Sequence, residues 1–211
     1  VHSIAPKGGE IGRDETGNLN GLLYDQAMNA VNDAQPKKGE EYLAYLTEAL
    51  ERAIRQLQSY GLTGVHTEDM DYFGPYQNPL TAFQRTVGKA HHFRVHLLRH
   101  NAVFEQMIKD KPQYDEPFIE PGPMKIFADG AFGGSTAALS SPYADNPDTH
   151  GLLIHSDEEL VRLVQLARAY DEAVAVHIIG DMAADQVISV LEKYPVAAGK
   201  RDRLIHCSVL R

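Results

Sequence analysis

The chain has 211 residues, 43% of them hydrophobic and 23% charged, and its formal net charge is −9. This length is enough for one hydrophobic core and too short for two independent domains. Because the acidic residues are dispersed along the chain, we expect no nucleic acid and no membrane as a partner, since both select a basic surface.

The cysteine content and the distribution of apolar residues bear on the cellular compartment. The single cysteine, Cys207, excludes an internal disulfide and fits a reducing environment. No apolar run approaches the roughly 20 residues that cross a bilayer. We therefore expect a cytoplasmic protein.

Residues 1–40 are rich in Gly, Asn, Asp and Lys and show little periodicity. They predict a loop-rich segment, with one short helix near residues 21–31, that precedes alternating β and α units. The chain has no initiator Met, and within residues 205–211 it ends just past a predicted strand. We therefore expect residues 1–211 to be a fragment that forms a single, incomplete domain.

From Glu40 onward the pattern becomes periodic. Apolar residues at steps of three and four predict a helix over residues 43–57, which Gly61 is well placed to end. The elements predicted next are a strand within residues 63–69, a helix near residues 80–90, a strand at residues 93–98 and a helix near residues 102–109.

The second half repeats this rhythm more clearly. Residues 124–128 predict a strand, and Ser156 with Glu159 predicts a capping box ahead of a helix. Residues 173–179 form a near-continuous apolar run, typical of a parallel strand covered on both faces. A further helix and a last strand at residues 203–206 follow.

Five strands that alternate with helices predict an α/β fold with a parallel sheet. The periodicity alone does not distinguish an open, doubly wound sheet from part of a closed barrel. An ordinary doubly wound ligand-binding domain would need a phosphate-type glycine loop after its first strand, and none is evident.

Three consecutive strand candidates carry a potential metal ligand near their ends: Lys125, His177 and His206. Active sites of (β/α) barrels are built at the carboxyl ends of several neighbouring strands. Neutral imidazole suits zinc and related cations. A lysine ammonium repels a cation, so Lys125 would serve as a ligand only when modified, for instance as a carbamate with two oxygens.

Each of these residues also has a structural interpretation. A single histidine in a strand is more often a hydrogen-bonded interior residue than a ligand, and a strand lysine is usually a solvated edge residue. Candidate ligands at the ends of three successive strands argue against the view that each residue is there only for structural reasons. His66 could line the same mouth, whereas His96 lies in mid-strand and is expected to be structural.

Several motifs, in the correct order and over nearly the whole chain, resemble those of the amidohydrolase 3 family. Residues 176–181 (Val-His-Ile-Ile-Gly-Asp) resemble its His-x-x-Gly-Asp motif, and residues 203–206 (Arg-Leu-Ile-His) resemble its Arg-Ile-x-His motif. The other matching segments are residues 6–21, with Gly-Gly-Glu-Ile-Gly-Arg-Asp; residues 125–130, Lys-Ile-Phe-Ala-Asp-Gly; residues 133–139, Gly-Gly-Ser-Thr-Ala-Ala-Leu; and residues 142–145, Pro-Tyr-Ala-Asp.

The resemblance implies part of a (β/α)8 TIM barrel, about strands two to six with their helices. It also implies hydrolysis of an amide or related C–N bond by metal-activated water. His177 and His206 would be ligands at the ends of the fifth and sixth barrel strands, and Lys125 would match the position that bears a carbamate bridge in two-metal members. The implied cofactor is a divalent metal, commonly zinc, with one or two ions per complete site.

Two departures from the family pattern matter. The chain contains no His-x-His pair, which the resemblance implies for the first strand, and the general-base Asp is expected beyond Arg211. Asp129 is expected to shape the loop after its strand, and Asp181 to cap the following helix, so neither replaces that base. We therefore expect the 211-residue chain alone to be inactive or nearly so.

Two other functions stay open. One is a single-metal, deaminase-like hydrolase in which Lys125 is an ordinary lysine. The other is a non-catalytic binding or regulatory barrel that has lost the chemistry. For the enzyme we expect a small, amide-like substrate, and exposed sheet edges predict possible homo-oligomers.

Overall fold

A computed structural model describes residues 4–34, 39–88, 90–114 and 117–211. Contacts within the chain divide it into two compact units. Unit 1 comprises Val1–Gln35 and Ile126–Arg211, and unit 2 comprises Pro36–Lys125. The predicted single domain over residues 1–211 stays a prediction.

Unit 1 begins with an antiparallel hairpin, β1 (Gly9–Arg13) and β2 (Leu19–Asp25). The Asp14 carboxylate accepts hydrogen bonds from the amides of Thr16 and Asn18, both at 2.9 Å, which is how an Asx residue closes a turn. A short 3₁₀ turn and helix α1 (Asn29–Ala34) follow. The predicted loops were therefore wrong where the hairpin lies, and the short helix predicted near residues 21–31 lies a few residues later, at residues 26–34. Residues 1–3 and 35–38 of that segment lie outside the described residues.

Unit 2 begins with helix α2 (Gly39–Ser59), which buries Leu46 and Ile54, and Gly61 follows it with φ 81°, as predicted for a residue that ends a helix. The next elements are β3 (Gly64–Thr67), α3 (Gln77–Thr86), β4 (Arg94–His100) and α4 (Asn101–Asp110). The buried core of unit 2 lies between these elements and includes Ile54, Met70, Phe83, Phe93, Leu97, Met107 and Ile119.

Strand β5 (Ile119–Phe127) begins five residues before the predicted strand at 124–128. Its first part contains Pro121 and Pro123, which lack a backbone N–H, and the register with β4 shifts between Leu97 and Arg99. There the Arg99 guanidinium Nε donates a hydrogen bond of 2.7 Å to the Gly122 carbonyl. The prolines hid this part of the strand from a pattern-based prediction.

The second half of unit 1 agrees closely with the sequence. Ser156 and Glu159 form the predicted capping box at the start of α5 (Asp157–Ala169). The remaining elements are β6 (Val174–Ile178), α6 (Asp181–Lys193) and β7 (Arg203–His206).

The parallel strands follow one another in the order β3-β4-β5-β6-β7. An open doubly wound sheet reverses its strand order at a switch point, whereas a (β/α)8 barrel adds each strand next to its predecessor. The consecutive order therefore confirms the predicted class, an α/β fold with about five strands of a (β/α)8 barrel. None of the described helices combines the length and the apolar character needed to cross a membrane.

Candidate functional site

In unit 1, the structure brings two of the three predicted ligands together. His177 is the penultimate residue of β6 and His206 the last residue of β7, and Ile178 pairs with His206 in the parallel register. The ring centroids of His177 and His206 are 4.9 Å apart, with the ring planes at 77°. Two imidazoles from consecutive strand ends thus lie within reach of one small ligand.

The orientation of the His177 ring is fixed by the backbone of the preceding loop. Its Nε2 lies 2.9 Å from the Gly130 carbonyl oxygen and 3.7 Å from Oδ1 of Asp129. A carbonyl only accepts, so Nε2 carries the proton and donates, which leaves the lone pair of a neutral ring on Nδ1. A histidine held in this way is oriented to present Nδ1 as a ligand atom.

Asp129 organises this loop, as expected from the sequence. Its fully buried carboxylate accepts three backbone hydrogen bonds, from Ala138 at 3.0 Å, Ile179 at 2.9 Å and Gly180 at 2.8 Å. Burial raises the pKa of Asp129, and these three amides and His177 oppose the rise. The carboxylate therefore joins the loop after β5 to the turn between β6 and α6.

The loop after β5 contacts its neighbours closely through glycine. A Cβ on Gly130 would lie 2.1 Å from Oγ1 and 2.5 Å from Cβ of Thr136. The Thr136 hydroxyl oxygen accepts a hydrogen bond of 3.0 Å from the amide of Ala131. The Gly130 carbonyl that holds His177 is thus fixed by the packing on both sides of it.

Asp181 differs from the sequence-based expectation. Gly180 is the N-cap residue of α6, and Asp181 is the first residue of the helix itself. Its carboxylate accepts a hydrogen bond of 2.8 Å from the Ser140 amide and a second one from the Ser140 hydroxyl, and it lies 3.1 Å from Nε of Arg211. Asp181 is therefore not the N-cap residue, but it lies in the first turn of α6 and also anchors the loop at Ser140. Its contacts with Ser140, Arg211 and the Met182 amide lower its pKa.

A polar cavity of about 430 Å³ lies in unit 1 beside the loop after β5. Its side chains come from the β1–β2 hairpin and from the segment after β5: Glu10, Tyr24, Ser135, Asn146, Asp148 and Thr149. The lining contains two carboxylates and neither lysine nor arginine, so the cavity favours a ligand that donates hydrogen bonds.

Lys125, the third predicted ligand, belongs to unit 2. It lies in β5 opposite His100 of β4 in the register and is only 4% exposed. Burial lowers its pKa to about 8, and the negative charge of Glu68 opposes that shift. Because it is buried, Lys125 is not the solvated edge lysine of the structural interpretation. Its lowered pKa means that the amine is neutral in a larger fraction of molecules than an exposed lysine would be.

Glu68 and His100 are nearby residues that the sequence did not single out. Glu68 directly follows β3, and burial raises its pKa to about 7, while hydrogen bonding from Tyr72 and the charge of Lys125 oppose the rise. The His100 ring accepts a hydrogen bond of 3.2 Å from the Ala102 amide through Nδ1, at the start of α4. A carboxylate directly behind a strand was the available signal for Glu68.

His66 and His96 pair with each other across β3 and β4, with ring centroids 4.6 Å apart. His66 is exposed, and Nδ1 of the largely buried His96 lies 3.4 Å from Glu120. The position of His96 within its strand and its contact with a carboxylate agree with the structural role expected for it.

Each unit contains donor atoms of the type that divalent cations bind. No three His, Cys, Asp or Glu side chains among the described residues are grouped so that they could hold a metal ion by themselves. Unit 1 nevertheless supplies the two converging imidazoles, and in unit 2 the buried Oε1 of Glu68 has no hydrogen-bond partner among the described residues. Oxygen and imidazole nitrogen donors are the ligands that zinc and related cations take in hydrolases.

Comparison with solved structures agrees with the fold. The chain is similar to an uncharacterized metal-dependent hydrolase from Pyrococcus horikoshii OT3, with a TM-score of 0.67 and 23% identity over 90% of this chain and 43% of that one. A second such hydrolase, from Pyrococcus furiosus, gives a TM-score of 0.68 and 22% identity over 94% of this chain and 40% of that one. At these identities the similarity concerns the fold alone.

Sequence comparison extends the similarity to curated proteins. The chain is 42% identical over 206 residues to "Putative amidohydrolase YtcJ" of Bacillus subtilis (strain 168), covering 97% of this chain and 38% of YtcJ. It is 30% identical over 208 residues to "Protein LONG AFTER FAR-RED 3" of Arabidopsis thaliana, covering 94% of this chain and 35% of that protein. The chain thus spans well under half the length of these relatives. A family model described as "Amidohydrolase family" matches residues 1–211, and we conclude that the chain belongs to the amidohydrolase family.

Proposed function

We propose that the whole protein is a metal-dependent hydrolase that cleaves an amide or related C–N bond in a small molecule. The observation that carries this proposal is the contact between the His177 and His206 rings, 4.9 Å apart at the ends of consecutive parallel strands. Carboxyl ends of neighbouring strands are where barrel enzymes carry their active sites. Membership in the amidohydrolase family supports the reaction class.

In this proposal His177, His206 and a carbamylated Lys125 are the ligands, and zinc is the proposed metal. A divalent cation bound by such residues would polarise a substrate carbonyl and lower the pKa of a water molecule toward neutrality. Two-metal sites use a bridging carboxyl-type group, which is the role proposed for Lys125. A count of one or two cations per protein distinguishes the deaminase-like alternative from the two-metal enzyme.

Carbamylation of Lys125 is favoured by its surroundings. The neutral amine attacks carbon dioxide through its lone pair, an N–C bond forms and one proton is released. The ammonium form has no lone pair and cannot react. Burial lowers the pKa of Lys125 to about 8, which raises the neutral fraction near neutral pH above that of an exposed lysine. The burial of this side chain also protects the product from water.

The residues of the loop after β5 have a positioning role in this proposal. The Gly130 carbonyl holds Nε2 of His177 at 2.9 Å, so that Nδ1 carries the lone pair. The polar cavity lined by Glu10 and Asp148 would take the part of the substrate that donates hydrogen bonds. The family resemblance implies that the general-base Asp lies beyond Arg211, so we expect the 211-residue chain by itself to be inactive.

Cation content and hydrolysis by the full-length protein test this proposal. In His177→Ala and His206→Ala we expect the loss of at least one equivalent of bound zinc, measured by elemental analysis after dialysis. Release of amine from a panel of N-formyl and N-acetyl amines should fall about 100-fold or more, because several kcal/mol of transition-state stabilisation depend on the cation.

The exposed His92 provides a matched control, and His92→Ala should keep the cation content and the hydrolysis rate of the wild-type protein. Full cation content in both His177→Ala and His206→Ala would contradict the ligand assignment. A wild-type protein that binds no divalent cation would instead support the non-catalytic barrel.

A further inference from the structure

We propose that Glu68 is an additional ligand of the divalent cation and binds it through Oε1, together with the carbamate of Lys125. This inference rests on the proposed function, because it needs a cation at the modified lysine. It adds a carboxylate ligand from unit 2 that neither the sequence pattern nor the family motifs single out.

The position of Glu68 fits this role. It directly follows β3, at the carboxyl end of that strand. Lys125 lies opposite His100 in the register of β4 and β5, and Nε2 of His100 lies 4.0 Å from Oε1 of Glu68. Glu68, His100 and Lys125 therefore lie close together at one end of the parallel strands of unit 2.

The unsatisfied oxygen of Glu68 indicates a ligand. The Glu68 side chain is only 14% exposed, and its Oε1 is fully buried without a hydrogen-bond partner among the described residues. Buried carboxylate oxygens are normally hydrogen-bonded or bound to a cation, because desolvation of the charge is otherwise uncompensated. Oε1 therefore has the chemistry and the burial of a metal ligand.

The nearby acidic residues are hydrogen-bonded or more exposed to water. Asp69 accepts a hydrogen bond from the Thr67 hydroxyl, and the Asp71 side chain is 38% exposed. His100 uses its Nδ1 lone pair for the Ala102 amide, so its Nε2 carries the proton and is not a ligand atom. Among these side chains, Glu68 thus has the donor atom best suited to a cation.

Charge balance gives an independent reason. An unmodified Lys125 carries a positive charge that compensates the carboxylate of Glu68. A carbamate on Lys125 reverses that charge and leaves two anionic groups beside each other in a buried environment. Two such groups destabilise each other unless a cation lies between them or one of them takes up a proton. The modified lysine and Glu68 therefore both favour the cation-bound protein.

Zinc binding to the full-length protein tests the inference. Protein stripped of metal with a chelator, and then supplied with bicarbonate, is titrated with zinc chloride in a calorimeter, with elemental analysis of the dialysed product. Glu68→Gln should lose one equivalent of zinc or bind it at least about tenfold more weakly. Glu120→Gln, a change in an exposed carboxylate of β5, should bind zinc like the wild-type protein.

Thermal unfolding separates a ligand from a merely structural residue. Without zinc, Glu68→Gln should change the Tm only through the loss of the opposite charge beside Lys125, because no cation is bound. The rise in Tm on adding zinc should be smaller in this variant. Glu68→Asp, which keeps the charge on a shorter side chain, should recover part of the zinc affinity lost in Glu68→Gln.

Two results would overturn the inference. One is wild-type zinc affinity and stoichiometry in Glu68→Gln; the other is a Tm lowered equally with and without zinc, which would assign Glu68 a structural role. If His177→Ala loses zinc while Glu68→Gln does not, the proposed function stands and only the role of Glu68 fails. If the wild-type protein binds no zinc, both proposals fail.

Discussion

Gly180 joins β6 to α6 and lies directly against the loop that follows β5. A Cβ at this position would lie 1.9 Å from the carbonyl oxygen and 2.4 Å from the carbonyl carbon of Ala138. Its amide also donates to the Asp129 carboxylate at 2.8 Å. The absence of a side chain at Gly180 therefore allows the loop, the carboxylate and the turn after His177 to pack together.

The change Gly180→Ala should lower the free energy of unfolding by about 1–3 kcal/mol, because the new methyl group overlaps backbone atoms that cannot rotate away. Gly133→Ala is the matched control, since a Cβ there would meet no atom within 4 Å. Chemical denaturation followed by circular dichroism measures both. Equal stabilities for the two variants would contradict the close packing at Gly180.

Helix α5 begins with a complete capping box, so its start was predictable to the residue. The Glu159 amide donates to the Ser156 hydroxyl at 3.2 Å, and the Ser156 amide donates to the Glu159 carboxylate at 2.8 Å. The Ser156 amide and the Lys7 ammonium lower the pKa of Glu159 to about 2. This partly exposed carboxylate thus satisfies a free amide at the helix N-terminus.

Ser156→Ala should lower the free energy of unfolding by about 1 kcal/mol, the usual effect of removing a serine cap. The exposed Ser141, replaced by Ala, provides the control.

The contribution of Glu159 to the free energy of unfolding depends on pH. It is fully present above the ordinary pKa of 4.5 and is lost as the pH falls toward the folded-state pKa of about 2. The stability difference between the wild-type protein and Glu159→Gln should therefore shrink over that range, which urea unfolding at several pH values measures. A constant difference would contradict the role of the carboxylate.

At the scale of the whole molecule, the consecutive strand order has a consequence for association. Among the described residues, β3 and β7 are the terminal strands of the parallel sheet. A terminal strand presents backbone groups that pair readily with another chain. Leu204 in β7 is 41% exposed, so this strand combines available backbone groups with an apolar side chain.

We expect the 211-residue chain to associate with itself as its concentration rises, and Leu204→Lys to reduce that association, because a charged residue at a sheet edge disfavours pairing. Light scattering after size-exclusion chromatography measures the mass. Leu210, 59% exposed and outside β7, provides the control substitution Leu210→Lys. A mass that is independent of concentration, or equal effects of the two substitutions, would contradict pairing through β7.

The fold was predictable where local patterns agree with long-range packing. The apolar run at residues 173–179 predicts a buried strand, and β6 lies there. The capping box at Ser156 predicts the start of a helix, and α5 begins there. The hairpin β1–β2 was missed because its Gly-rich, polar sequence lacks the alternation that marks a strand covered on one face. The early part of β5 was missed because of Pro121 and Pro123.

The candidate site was predictable only in part. His177, His206 and Lys125 are visible in the sequence because each lies near the end of a strand, and their assignment as ligands remains a prediction. The sequence does not reveal that the Gly130 carbonyl holds His177, since that contact joins residues 47 positions apart. Nor does it reveal that Oε1 of Glu68 is buried, which depends on packing rather than on residue type.

The three amides that bind Asp129 also bear on the order of folding. Two of them, Ile179 and Gly180, lie 50 and 51 residues further along the chain, so a long loop must close before the carboxylate acquires these partners. Contacts between distant residues form slowly, because closing the loop loses conformational entropy before any contact compensates it. The Asp129 carboxylate therefore acquires two of its three amide partners only when β6 joins the sheet, and the same step brings His177 to the Gly130 carbonyl.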